Sequence, residues 1–128
     1  LWIMKKKNTL RNTTDKLLQD YIRAKHKGEF CWHCGERPMN VGHHFIYKAQ
    51  SNATRYYLPN IIPLCKERHL YAHRWQNLFN AKLTLKLGQE WFDDVEATRR
   101  EGVKFTLEWI KIQNTILQAL HSTLKSGL

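Results

Sequence analysis

Apolar residues recur at helical spacing in several stretches of the chain, and after the first of them the pattern breaks into short extended pieces and turns. Leu17, Leu18, Tyr21, Ile22 and Ala24 form a stripe that predicts a helix over residues 13–28. Thr13 or Thr14 is placed to cap it, Asp15 suits its first turn, and Gly28 ends it. Residues 1–12 are basic and polar and read as a loose arm. Residues 41–47 read as a short strand, 48–54 as a polar loop and 55–58 as a second extended piece, while Pro59 and Pro63 keep residues 59–64 out of regular helix. A helix begins after Cys65, with Leu70, Trp75, Leu78 and Phe79 as its apolar face. Gly88 separates it from a helix over 89–100. Thr106 caps a last helix, 107–125, striped by Trp109, Ile112, Ile116, Ala119 and Leu120.

This order predicts an α+β domain spanning residues 1–128: a basic arm (1–12), a helix (13–28), a core (29–80) and a helical tail (81–128). Such a length supports a modest core and gains from a metal staple. No apolar run approaches membrane-spanning length, so no membrane partner is expected. The first residues carry no secretion signature, and the expected compartment is a reducing cytoplasm.

Charge changes the picture. The net +10 is uneven: residues 1–75 hold 14 Lys and Arg against 5 Asp and Glu, and residues 76–128 hold 7 against 6. A polyanion, most simply nucleic acid, suits the first part. That part also concentrates the reactive side chains. All three cysteines and five of the seven histidines lie between Cys31 and His73. Cys31-x2-Cys34 in a chain without an export signal reads as zinc rather than disulfide, with Cys65 as a third ligand. The fourth ligand is open. His69 has a common zinc spacing from Cys65; His33 is disfavoured because it points away from its flanking cysteines.

His43 and His44 are adjacent, so on a strand they face opposite ways: one can bind a metal ion while the other reaches a water. His69 and His73 lie one helical turn apart and can reach a metal or a phosphate together. Asn60 can hold the loop or orient the base. A phosphodiester needs a nucleophilic water and a cation on the scissile phosphate, and these residues offer both.

The run His44, fifteen residues, Asn60, eight residues, His69, three residues, His73 resembles the HNH (ββα-metal) nucleases. Over a longer span, Leu17-x3-Tyr21-Ile22-Arg23, the Cys31/Cys34 knuckle, Gly42-His43-His44-Phe45-Ile46, Ala53-Thr54-Arg55-Tyr56 and Asn60-x4-Cys65 resemble NinG-type phage recombination proteins. The resemblance implies a ββα-metal core with a zinc knuckle, flanked by an N-terminal helix and C-terminal helices. It implies an endonuclease selective for branched DNA, with His44 as general base, His43 in a ligand place often held by Asp, Asn60 as the central Asn and His69 as a metal ligand. NinG-type chains usually end the site in Cys-x2-Cys-Asn, where this chain has Cys65-Lys66-Glu67-Arg68-His69. Either His69 completes the zinc site and His43 with His73 hold the catalytic ion, or zinc has another fourth ligand; the reading leans toward His69 in the catalytic set.

The expected cofactors are thus structural Zn²⁺ and a catalytic Mg²⁺ or Mn²⁺, although imidazole ligands also suit Zn²⁺ and Ni²⁺. The expected partner is branched DNA, contacted by Lys48, Arg55, Lys66, Arg68 and Arg74, with a homodimer as one way to read branch shape. Two rivals stand beside this reading: a non-catalytic zinc module that binds nucleic acid, and an RNA-directed nuclease.

Overall fold

The computed structural model describes residues 1–127; Leu128, the end of the expected tail, lies outside the described residues. The described residues form five helices and a two-stranded antiparallel sheet, an α+β arrangement. None of these helices is long and apolar enough to cross a membrane.

The first helix, α1, spans Trp2–Lys25, so the expected loose arm is helical. No Gly or Pro interrupts residues 2–25, and Leu, Met, Lys and Arg favour helix in this stretch. Thr13 and Thr14 lie inside α1 rather than capping it; their hydroxyls donate to the carbonyls of Thr9 (3.0 Å) and Leu10 (2.7 Å). Thr14 is buried, and the Asn114 amide donates to its hydroxyl (2.9 Å), which ties α1 to the last helix. Of the expected stripe, Leu18, Tyr21 and Ile22 are buried, whereas Ala24 is exposed.

Strand β1, Val41–His44, pairs antiparallel with β2, Ile61–Leu64, and His43 stands opposite Ile62. The expected second strand at 55–58 is therefore displaced: Leu58–Asn60 is a turn of 3-10 helix, and the strand comes after it. Pro63 is tolerated because it sits opposite Gly42 in a pair that exchanges no ladder bonds, and its outward carbonyl accepts the Trp32 amide (3.0 Å). β2 is buried throughout. Ile61 packs with Leu18, Tyr21, Ile22 and Leu117, while Ile62 and Leu64 pack with Cys65, Ala72, Phe79 and Leu83. The hairpin thus separates two apolar clusters.

Gly42 lies where β1 meets α1. A Cβ there would stand 2.7 Å from Ile61 Cγ2 and 3.2 Å from Ile22 Cγ2. Gly42→Ala is expected to destabilise the fold by about 2 kcal/mol through overpacking, measured by urea or thermal melts.

Helix α2 (Lys66–Arg74) and α3 (Gln76–Leu87) meet at Trp75, whose backbone (φ −126°, ψ 55°) breaks what the sequence suggests is one helix. The break rephases the apolar face. Ala72, Phe79 and Leu83 turn inward, and Leu70, Trp75 and Leu78 are exposed. The expected boundary at residue 80 falls inside α3. Helix α4 (Gln89–Arg99) comes after Gly88, and α5 (Leu107–Lys125) begins at Thr106, whose hydroxyl accepts the Trp109 amide (3.1 Å). Because α5 packs along α1, its inward line is Ile110, Asn114 and Leu117; Ile112, Ile116 and Ala119 of the expected stripe face outward.

Candidate metal centres and active site

Among the described residues two clusters of ligand-type side chains form, one reaching the N-cap of α2 and one built on α2 itself. In the first, the sulfurs of Cys31, Cys34 and Cys65 lie within 4.8 Å of one another. The knuckle turns at Gly35 (φ 67°), whose amide bonds to the Cys31 carbonyl (2.9 Å). Cys65 is the N-cap of α2 and accepts the Arg68 amide (3.4 Å). Burial opposes ionisation of Cys34, but the Glu36 and Arg37 amides outweigh it and bring the thiol down to about 7. Burial raises Cys65 to about 11. The Cys34 and Cys65 sulfurs are 3.8 Å apart. Two thiolates about 2.3 Å from a tetrahedral zinc would be about 3.8 Å apart, so these residues fit a structural metal ion. A bound cation would deprotonate both thiols. Neither His69 nor His33 belongs to the sulfur cluster.

The second cluster joins His43 of β1 to His69 and His73 of α2, with one ring nitrogen of each within 4.8 Å of the others. His69 Nε2 and His73 Nε2 are 3.0 Å apart, close to the spacing of two adjacent ligands on an octahedral ion at about 2.1 Å. Helical period places His69 and His73 together, since residues four apart share a face. Strand alternation places His43, which turns toward α2 while His44 turns toward α1. Burial drives His43 down to about 3, with the neighbouring His69 and His73 adding to it, and burial also lowers His69. Both rings are therefore neutral at neutral pH and keep a lone pair for a cation.

His44 lies beside this cluster in a cleft of about 480 Å³ that also contains Asp15, Gln19 and Tyr47. Its Nε2 stands 2.9 Å from the Arg55 carbonyl. A carbonyl can only accept, so Nε2 carries the hydrogen and the Nδ1 lone pair is free. Burial lowers the ring to about 4, leaving it neutral and able to take a proton.

Asn60 is fully buried. Its Nδ2 donates to the carbonyls of Ile46 and Thr54 (3.1 Å each), and its Oδ1 accepts the Ile46 amide (2.8 Å). All three bonds hold the loop after β1. Among the basic residues, Lys48 is exposed and lines the cleft. Lys66 and Arg74 are exposed on α2, and Arg68 lies over Tyr71. Arg55 differs: its guanidinium forms a two-pronged ion pair with Asp15 (3.0 and 2.6 Å) and is only 12% exposed. The sequence reading missed Asp15 and Gln19 as walls of the cleft. Their signal was a polar pair four residues apart, flanking Leu18 and Ile22 on α1.

These features define a small α+β protein with a cysteine cluster fit for a structural metal and a separate histidine cleft. The chain belongs to the bacteriophage lambda NinG protein family, whose model matches residues 2–126. No curated protein and no solved structure matches it.

Proposed function

We propose that this protein is a metal-dependent endonuclease of the HNH type that hydrolyses DNA phosphodiesters, with branched recombination intermediates as its substrates. The observation that carries this reading is the convergence of His43, His69 and His73 in the cleft that also holds His44 with a free Nδ1. The hairpin and then α2 is the order that a ββα-metal core requires.

His43, His69 and His73 would hold a divalent ion, Mg²⁺ or Mn²⁺, which supplies positive charge to the scissile phosphate and the leaving oxygen. His44 Nδ1 takes a proton from the attacking water, while the Arg55 carbonyl stabilises the imidazolium that forms. Asn60 keeps the loop after β1 in register with the site. Lys48, Lys66, Arg68 and Arg74 are placed for backbone phosphates, contacts that carry affinity and weaken with salt. Cys31, Cys34 and Cys65 would hold structural Zn²⁺. NinG-type membership supports a recombination role and a branched substrate.

The test is cleavage of plasmid and four-way-junction DNA with Mg²⁺ or Mn²⁺, with and without EDTA, beside a matched RNA junction. Nicking of DNA that requires added metal is expected. Failure to cut any substrate with any ion would leave a zinc-stabilised binding module, and preferential cutting of RNA would reassign the substrate.

A further inference from the structure

We propose that α1 supplies two positioning residues for the base: Asp15, acting through Arg55, and Gln19, acting through the β1 backbone, together hold the His44 ring in place. This inference rests on the nuclease reading for its catalytic consequence, but its geometry is independent of it.

Asp15 and Gln19 lie four residues apart and so share a face of α1. That face meets the hairpin. Gln19 pairs with Gly42 as a neighbouring strand would: its Nε2 donates to the Gly42 carbonyl (2.8 Å) and its Oε1 accepts the Gly42 amide (2.9 Å). Gly42 stands two residues before His44, so this double bond fixes the strand that carries the base. Strand β1 has β2 on its other edge, and the Gln19 amide satisfies backbone groups that would otherwise face the cleft.

Asp15 works through the segment after the β1 loop. One carboxylate oxygen accepts Arg55 Nε (3.0 Å) and the Tyr56 hydroxyl (2.8 Å), and the other accepts Arg55 Nη2 (2.6 Å). Three bonds thus anchor residues 55 and 56 to α1. The main-chain carbonyl of Arg55 is the group that accepts His44 Nε2. Its position sets the ring's rotation and keeps the hydrogen on Nε2, which leaves the Nδ1 lone pair free. Arg55 is therefore assigned to holding the base, not to a DNA phosphate. Asp15 is about 21% exposed and Arg55 about 12%, so solvent screens this pair only weakly.

The size of the effect comes from positioning. A displacement of about 1 Å at a reacting group costs about 100-fold in rate. Asp15→Asn and Arg55→Ala in the zinc-loaded chain are expected to lower the single-turnover cleavage rate by about that factor. Junction affinity in Ca²⁺, its salt dependence, and Co²⁺ binding at the three histidines should stay unchanged. Gln19→Ala should act in the same direction. A second measurement needs no catalysis: ¹⁵N spectra of His44 should show one tautomer, hydrogen on Nε2, in the unsubstituted protein and a mixture in Asp15→Asn and Arg55→Ala.

Weaker junction binding with a shallower salt slope in Arg55→Ala, at an unchanged bound-state rate, would overturn the proposal in favour of a phosphate contact. Normal cleavage in Asp15→Asn and Arg55→Ala would overturn it as well, as would a His44 tautomer indifferent to both substitutions. If the unsubstituted protein cleaves nothing while the tautomer responds as expected, the nuclease reading fails and the positioning role stands.

Discussion

Replacing His44 with alanine is expected to lower DNA cleavage by about three orders of magnitude while leaving junction binding within about twofold. The neutral imidazole, held at Nε2 by the Arg55 carbonyl, has a free lone pair and lines the cleft without being one of the three clustered histidines. Its loss removes the proposed proton acceptor and leaves His43, His69 and His73 intact. The substitution also orphans one carbonyl, which costs about 1–3 kcal/mol of stability. A loss of that size leaves a folded protein at assay temperature, so it cannot imitate the rate effect, and a thermal melt will separate the two. The companion substitution His43→Ala should also lose cleavage, but with weakened Mn²⁺ binding, which His44→Ala should preserve. Equal nicking by the His44→Ala and unsubstituted proteins would remove the base assignment.

The placement of the imidazoles on β1 and α2 was legible in the sequence because it depends only on local periods. Adjacent residues on a strand diverge, and residues four apart on a helix converge, so His43/His44 and His69/His73 could be assigned to faces without a structure. The Cys31-x2-Cys34 turn was readable for the same reason. Features that depend on distant partners were not legible. The helix over residues 2–12 has no apolar stripe of its own, and α1 is anchored to α5 through Thr14 and Asn114, a hundred residues apart. The second strand lay hidden because Pro59 and Pro63 read as helix breakers, and Pro63 is accommodated because it sits opposite Gly42 in a pair that exchanges no ladder bonds. Arg55 looked like a free cation because its partner, Asp15, is forty residues away. The apolar faces of α2, α3 and α5 were misread because the break at Trp75 and the one-sided packing of α5 both shift the inward line.

Loss of the cysteine cluster should be as damaging as loss of the base, by a different route. Cys65 is the N-cap of α2, His69 comes one turn later and His73 one turn after that. One short helix therefore joins the cysteine cluster to two of the three imidazoles. Helix α2 has nine residues, of which only Ala72 is buried. An isolated helix of that length is unstable in water, so its position depends on its ends. At its C-terminal end Trp75 leads into α3; at its start the buried Cys65, the knuckle and a Glu67–Arg37 ion pair hold it. A structural zinc contributes on the order of 10 kcal/mol to folding, far more than the burial of one alanine. Cys65→Ala is therefore expected to reduce bound zinc from one per chain to none, to lower the thermal midpoint by roughly 30–40 °C, and to abolish Co²⁺ binding at the histidine cleft although no histidine has changed. Chelation of zinc from the unsubstituted protein should do the same, and restoring zinc should recover the second site. A Cys65→Ala protein that melts normally and still gathers Co²⁺ at His43, His69 and His73 would show that α2 is positioned without the sulfur cluster, and the structural role of that cluster would fall.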